Sequence, residues 1–151
     1  MDEDFTRWQD LHWRAAAAYA RAAQAAGDPG APTPSGSWTV ADVLAHVREE
    51  SASAPAPPEL PTRTLDLAVH AWDLSRARGA DPGLDDELCE ALLQAFTPYT
   101  HLMAEEDAFA PPIPVGPGAS PQERLVALCG RDPAWQARES PSAAAEQDRD
   151  E

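Results

Sequence analysis

The sequence predicts an all-α protein on three observations. Apolar residues recur at helical spacing in several segments, Thr or Ser stands where two helix N-caps belong, and no stretch sustains the alternation of a strand. Much of the 43% hydrophobic content is alanine, which favours helix and buries little area per residue, so close-packed helices around a small core are expected. The 151 residues fit one domain.

The first helix is predicted over RWQDLHWRAAAAYARAAQAAG. Asp2, Glu3 and Asp4 suit its N-terminal end, Gly27 is its stop, and Phe5, Trp8, Tyr19 and the alanines are its apolar stripe. DPGAPTPSGS, residues 28–37, is a loop, with three prolines and two glycines. A second helix starts after Thr39, whose hydroxyl can cap it, and Asp42 completes a capping box; Val40, Val43, Leu44 and Val47 share one face. The prolines at 55, 57, 58 and 61 make SASAPAPPELP, residues 51–61, an extended linker.

The third helix is expected from about Thr62 to Arg78, ahead of a turn at Gly79–Gly83. DDELCEALLQAF forms the fourth, which Pro98 kinks or ends before YTHLMAEE. AFAPPIPVGPGA reads as extended. Ser120, Pro121 and Glu123 then supply an N-cap, a first-turn proline and an N3 acid for a short last helix that Gly130 stops. The helical domain is expected over residues 1–135, and residues 136–151, lacking bulky apolar side chains, as a disordered acidic tail.

Twenty-six acidic residues against eleven basic ones leave a net charge of −15, which argues against nucleic acid and anionic membrane as partners. The N-terminus is acidic where a secretory signal would be basic and then apolar, and no apolar run approaches the roughly 18 residues of a membrane span, so a cytoplasmic protein is expected. Cys89 and Cys129 lie in apolar helical patterns and read as core thiols. The tryptophans at 8, 13, 38, 72 and 135 read as packing residues. There is no Gly-rich phosphate loop, no G-x-S-x-G elbow and no paired-cysteine zinc pattern.

LDLAVHAWDL, residues 65–74, carries the most chemistry. On a helical wheel Leu65, Ala68, Val69 and Trp72 gather on one side and Leu67, Ala71 and Leu74 nearly opposite, with Asp66, His70 and Asp73 as a polar stripe between them. A helix apolar on two sides is buried on two sides, and a buried carboxylate needs a partner. An acid and a histidine at i and i+4 can both reach one divalent ion. A hydrogen bond from His70, or a stripe reaching solvent, is the alternative. The same spacing joins Asp42 to His46, His46 to Glu50 and His101 to Glu105, pairs that read as solvated, with His46 a boundary histidine. His12 and His101 have less to recommend them.

PTPSGSWTVADVLAHV, LDLAVHAWDLSRARG and FAPPIPVGPGASPQERLVALCGRDPAW together resemble actinobacterial metal-binding proteins related to the N-terminal domain of mycothiol-dependent maleylpyruvate isomerase, in the DinB-like superfamily. The likeness runs from about Thr33 to Trp135. It implies a DinB-like up-and-down helical bundle with a divalent metal, often zinc, on His46, Asp66 and His70, and with an open fourth position where a water or a thiolate can bind. It further implies mycothiol as cofactor or co-substrate, Asp73 as an acceptor behind the metal ligands or a helix-packing partner, and Trp72 packed beneath the site. The function so implied is thiol-dependent isomerisation or transfer on small electrophilic substrates. The alternative is a shortened, non-catalytic metal-binding or interaction module.

Two departures stand out. One bundle helix of such proteins is lacking between LAHV and LAVHAWDL, and Ser35 replaces a cysteine common in that loop. An eleven-residue linker spans up to about 36 Å, so the helices on either side of it can still lie antiparallel. The lost helix would leave an apolar groove for the fourth helix, the last helix or a second subunit to cover, which suggests a homodimer or a marginally stable chain.

Overall fold

The computed structural model describes residues 2–100 and 110–137. Among these, five α-helices carry the fold: α1 (Asp2–Gln24), α2 (Val40–Glu50), α3 (Leu60–Ala77), α4 (Asp86–Phe96) and α5 (Pro121–Leu128), with short 3-10 turns at Pro57–Glu59 and Thr97–Tyr99. The described residues contain no strand beyond one isolated bridge between Pro32 and Thr39. The all-α expectation holds. The start of the expected tail lies at the edge of the described residues, and most of it, with His101 and Glu105, lies outside them.

Cap chemistry set the helix starts as expected. Thr39 and Asp42 exchange hydrogen bonds at 2.9 and 3.3 Å, and Ser120 and Glu123 form a second reciprocal box; Asp85, expected inside the fourth helix, instead caps it by accepting from the Leu88 amide at 2.8 Å. Two further boundaries differ. α1 ends at Gln24, and Gly27 is not in the left-handed region that Gly36, Gly79, Gly83 and Gly130 occupy. The Ala25 and Ala26 amides return to the Arg21 and Ala23 carbonyls, so the last turn closes before the glycine is reached. α3 starts at Leu60 and takes Pro61 into its first turn, where a residue without an N–H leaves no helical bond unmade. The linker is shorter than the prolines suggested for that reason.

The core lies between α1 and α3, the most extensively packed pair. From α1 it receives Trp8, Leu11, Ala15, Ala18 and Ala22, a stripe at alternating three- and four-residue steps. Phe5, expected in that stripe, is exposed, and Leu11 at its centre is fully covered. The alanines keep the two helices close, so α3 is buried continuously from Ala68 to Ser75. α4 and α5 pack on each other and each touches α3. Cys89 and Cys129 are buried thiols as expected, and burial pushes both up to about 12. No helix among the described residues is long and apolar enough to cross a membrane.

Candidate metal centre

α2 and α3 face each other across one cleft. His46 lies against Asp66 and His70, while Arg63 in the first turn of α3 donates to the Ser53 carbonyl beyond the end of α2, so the two helices run antiparallel. The loop over residues 28–38 seats α2: the Ala31 and Pro29 carbonyls accept from the Val40 and Ala41 amides at 3.0 and 2.9 Å, taking up donors that a helix N-terminus leaves free. Within the loop, buried Thr33 donates to the Trp38 carbonyl at 2.8 Å and accepts from the Ser35 amide at 3.1 Å. That fold-back carries Ser35 and Trp38 to the cleft wall.

Three donor groups converge there. Asp66 Oδ2 lies 3.3 Å from His46 Nε2, and Asp66 Oδ1 lies 3.2 Å from His70 Nε2. One ligand atom from each of His46, Asp66 and His70 falls within 4.8 Å of the others. A tetrahedral ion with bonds of about 2.0–2.1 Å holds its donors about 3.3 Å apart, so the spacing and the donor types fit a divalent cation. The side chains are graded in exposure from the cleft inward: 28% for His46, 15% for Asp66 and 4% for His70.

Behind His70 the polar chain continues into the protein. Its Nδ1 lies 2.9 Å from Oδ2 of fully buried Asp73, and Arg131 grips both Asp73 oxygens, through Nε at 3.2 Å and Nη2 at 2.9 Å. Arg131 Nη2 also donates to Ser35 Oγ at 3.1 Å and Nη1 to the Cys129 carbonyl at 3.0 Å. Burial by itself would lower the pKa of His70; the hydrogen bonds and charges of Asp66 and Asp73 outweigh it and raise it to about 9. For Asp66 burial would raise the pKa, and His70 above all holds it down at about 2. Burial and the neighbouring Asp66 raise Glu50, whose Oε1 lies 3.6 Å from His46 Nε2.

The donors open into a cleft of about 740 Å³ bounded by the 34–38 loop, α2, the start of α3, Ala110 and Gly130–Arg131. Trp38 forms its aromatic wall, 5.0 Å between ring centroids from His46 and 6.1 Å from His70, nearly parallel to the latter at 17°. At the opposite wall the chain passes so close that a Cβ on Gly130 would sit 2.5 Å from the Ala110 carbonyl oxygen. Gly130, at φ +83°, is therefore required both by its backbone and by its neighbour.

Several residues stand elsewhere than the sequence suggested. The solvated reading of His46 and Glu50 gives way to a pair on the cleft wall, because α3 brings Asp66 against them. Asp42 is spent in the capping box, and His12 meets Thr64 Oγ1 at 3.4 Å on the α1 side. Trp72 is buried but lies two residues from His70 and so projects across α3 from it, with the Arg76 guanidinium 5.3 Å over its ring; it does not underlie the donors. Trp38 takes the place beside them. It and Trp13, 73% exposed, are not core packing. Arg131 was not singled out at all, since the only trace of it in sequence is a cation just past the glycine that ends a helix.

Fold and site together define an all-α protein with a His–Asp–His group that could hold a metal ion. Compared with protein-family models, with curated proteins and with solved structures, the chain matches none of them.

Proposed function

We propose that the chain binds one divalent cation, zinc by preference, through His46, Asp66 and His70, and that it serves a thiol-dependent isomerisation or transfer on small electrophilic substrates. The observation that carries the metal reading is a single carboxylate 3.2 and 3.3 Å from the imidazole nitrogens of two histidines that come from different helices. Two imidazoles and one carboxylate suit zinc, and an acid bonded to the far nitrogen of a ligand histidine is the usual support of such sites. The thiol half of the proposal rests on the resemblance to DinB-like, maleylpyruvate isomerase-like proteins with mycothiol-type cofactors, and on the cleft at the donors.

When bound, such an ion stabilises the anion of a thiol or a water and so supplies a nucleophile at neutral pH. The chain's own groups then have definite parts. Asp73 accepts the Nδ1 proton of His70 and leaves its Nε2 lone pair facing the cleft. Trp38 shields the imidazoles on one side. Glu50, at the rim beside His46, is placed to accept a hydrogen bond from a molecule entering the site.

Elemental analysis of purified protein is expected to give about one zinc per chain, lost in His46→Ala, Asp66→Ala and His70→Ala. Cobalt-substituted protein titrated with a small monothiol should change its visible spectrum. Metal without a thiol response would favour the non-catalytic module, and no metal in the wild type would end the proposal.

A further inference from the structure

We infer that Arg131 is a positioning residue for the metal centre: through Asp73 it orients His70 and fixes which of its nitrogens faces the ion, and so sets how tightly the site grips a divalent cation. This inference rests on the metal-binding reading above and extends it to a residue that reaches the ligand histidine through Asp73.

The local sequence places Arg131. Cys129 ends α5, Gly130 takes the left-handed conformation, and the Gly130 and Arg131 amides return to the Ala127 and Val126 carbonyls at 3.0 and 2.9 Å. This double closure leaves the first residue beyond it pinned to the helix end. Its side chain runs inward, is 5% exposed, and meets Asp73 with two separate nitrogens on two separate oxygens. A planar guanidinium can make that fork and a lysine ammonium cannot.

The fork has a consequence at His70. Both Asp73 oxygens already accept from the guanidinium, so the imidazole nitrogen 2.9 Å from Oδ2 is the donor of that hydrogen bond. When an ion displaces the other ring proton, the lone pair is therefore on Nε2, the atom beside Asp66 and His46. The groups facing this ring are Asp66, Asp73, His46 and Trp38, and Asp73 alone meets Nδ1. The same guanidinium holds Ser35, so one side chain ties the end of α5, the loop bearing Trp38 and the polar stripe of α3. Metal loading should therefore be felt at the C-terminal turn, some 60 residues along the chain from the ligands on α3.

The test is zinc affinity, measured by competition with a chromophoric chelator, for wild type, Arg131→Lys, Arg131→Met and the double variant Arg131→Met with Asp73→Asn. The double variant carries no uncompensated buried charge, and its melting curve reports whether it is folded. Arg131→Met and the folded double variant are expected to bind zinc about 10–100-fold more weakly, with Arg131→Lys between them and wild type. Nitrogen NMR of the imidazoles in the zinc-loaded proteins should lose the single Nε2-bound pattern of His70 in the weakened variants. A folded double variant with wild-type affinity and an unchanged His70 pattern would overturn the inference and leave the metal site standing. A wild type that binds no zinc would overturn both.

Discussion

Asp66 and Asp73 lie two turns apart on the same face of α3, and the chain treats them in opposite ways. Asp73 is fully covered and answered from within: Arg131 neutralises it and His70 donates to it. Asp66 keeps 15% exposure at the cleft, and the groups around its oxygens are two imidazoles and another acid, Glu50. The first acid is a closed ion pair. The second sits among imidazole and carboxylate groups of the kinds that ligate metals, an arrangement that a cation from solution would complete on displacing the His70 proton. One helix thus carries both a structural acid and a ligand-type acid, and the partners brought by other elements decide which is which.

The largest effect should come from opening the closed pair. Arg131→Met strands a buried carboxylate and is expected to cost about 3–5 kcal/mol of stability, read by denaturant unfolding with a chelator present. Asp66→Ala should do less to the metal-free fold, about 2 kcal/mol, because it removes a charged hydrogen bond and leaves a histidine that can become neutral. Its effect on zinc should be severe, while Arg131→Met weakens zinc without abolishing it. If both variants lose stability equally and neither alters metal content, the distinction between the two acids fails.

A smaller, graded effect follows from the Asp66–His70 pair. In the folded, metal-free protein His70 is raised from 6.5 to about 9 and Asp66 is lowered from 3.8 to about 2. The stabilising contribution of the raised histidine is full below pH 6.5 and is lost as pH climbs through 9. That of the lowered acid is full above pH 3.8 and is lost as pH falls through 2. Metal-free stability from this pair should accordingly be flat from about pH 4 to 6.5 and decline on both sides. Zinc must displace the His70 proton, so its affinity should rise about tenfold per pH unit between 6.5 and 9. Chelator competition across that range checks the slope, and His70→Ala should flatten it along with the loss of binding.

The fold was legible because its signals are local. Thr39 with Asp42 and Ser120 with Glu123 announced two helix starts within a few residues each, and apolar spacing gave the faces of α2 and α3. The missed boundary at Pro61 is a place where a single residue type serves two structures: proline both ends helices and begins them. The site was legible as far as one helix reaches. The Asp66–His70–Asp73 stripe shows on the wheel of α3, whereas His46, Glu50 and Arg131 acquire their roles only across separations of about 20 to 60 residues. No periodicity encodes those meetings. His46 as a ligand came from the resemblance, while Arg131 and Trp38 needed the structure.

Trp38 offers the mildest and most local test of the comparison. Its ring faces both imidazoles at the cleft, is 36% exposed, and supplies no donor atom to a cation. Trp38→Phe keeps an aromatic face in that position and should change stability by less than about 1 kcal/mol, with zinc affinity altered only slightly. The fluorescence response should behave differently. Trp38 is the one tryptophan that lines the cleft with His46, Asp66 and His70, so cobalt or copper loading should quench wild-type emission and leave Trp38→Phe nearly unquenched. Full quenching in that variant would place the bound ion away from the wall Trp38 forms, and with it would go the claim that the half-open acid of α3, and not the closed one, is where a cation enters.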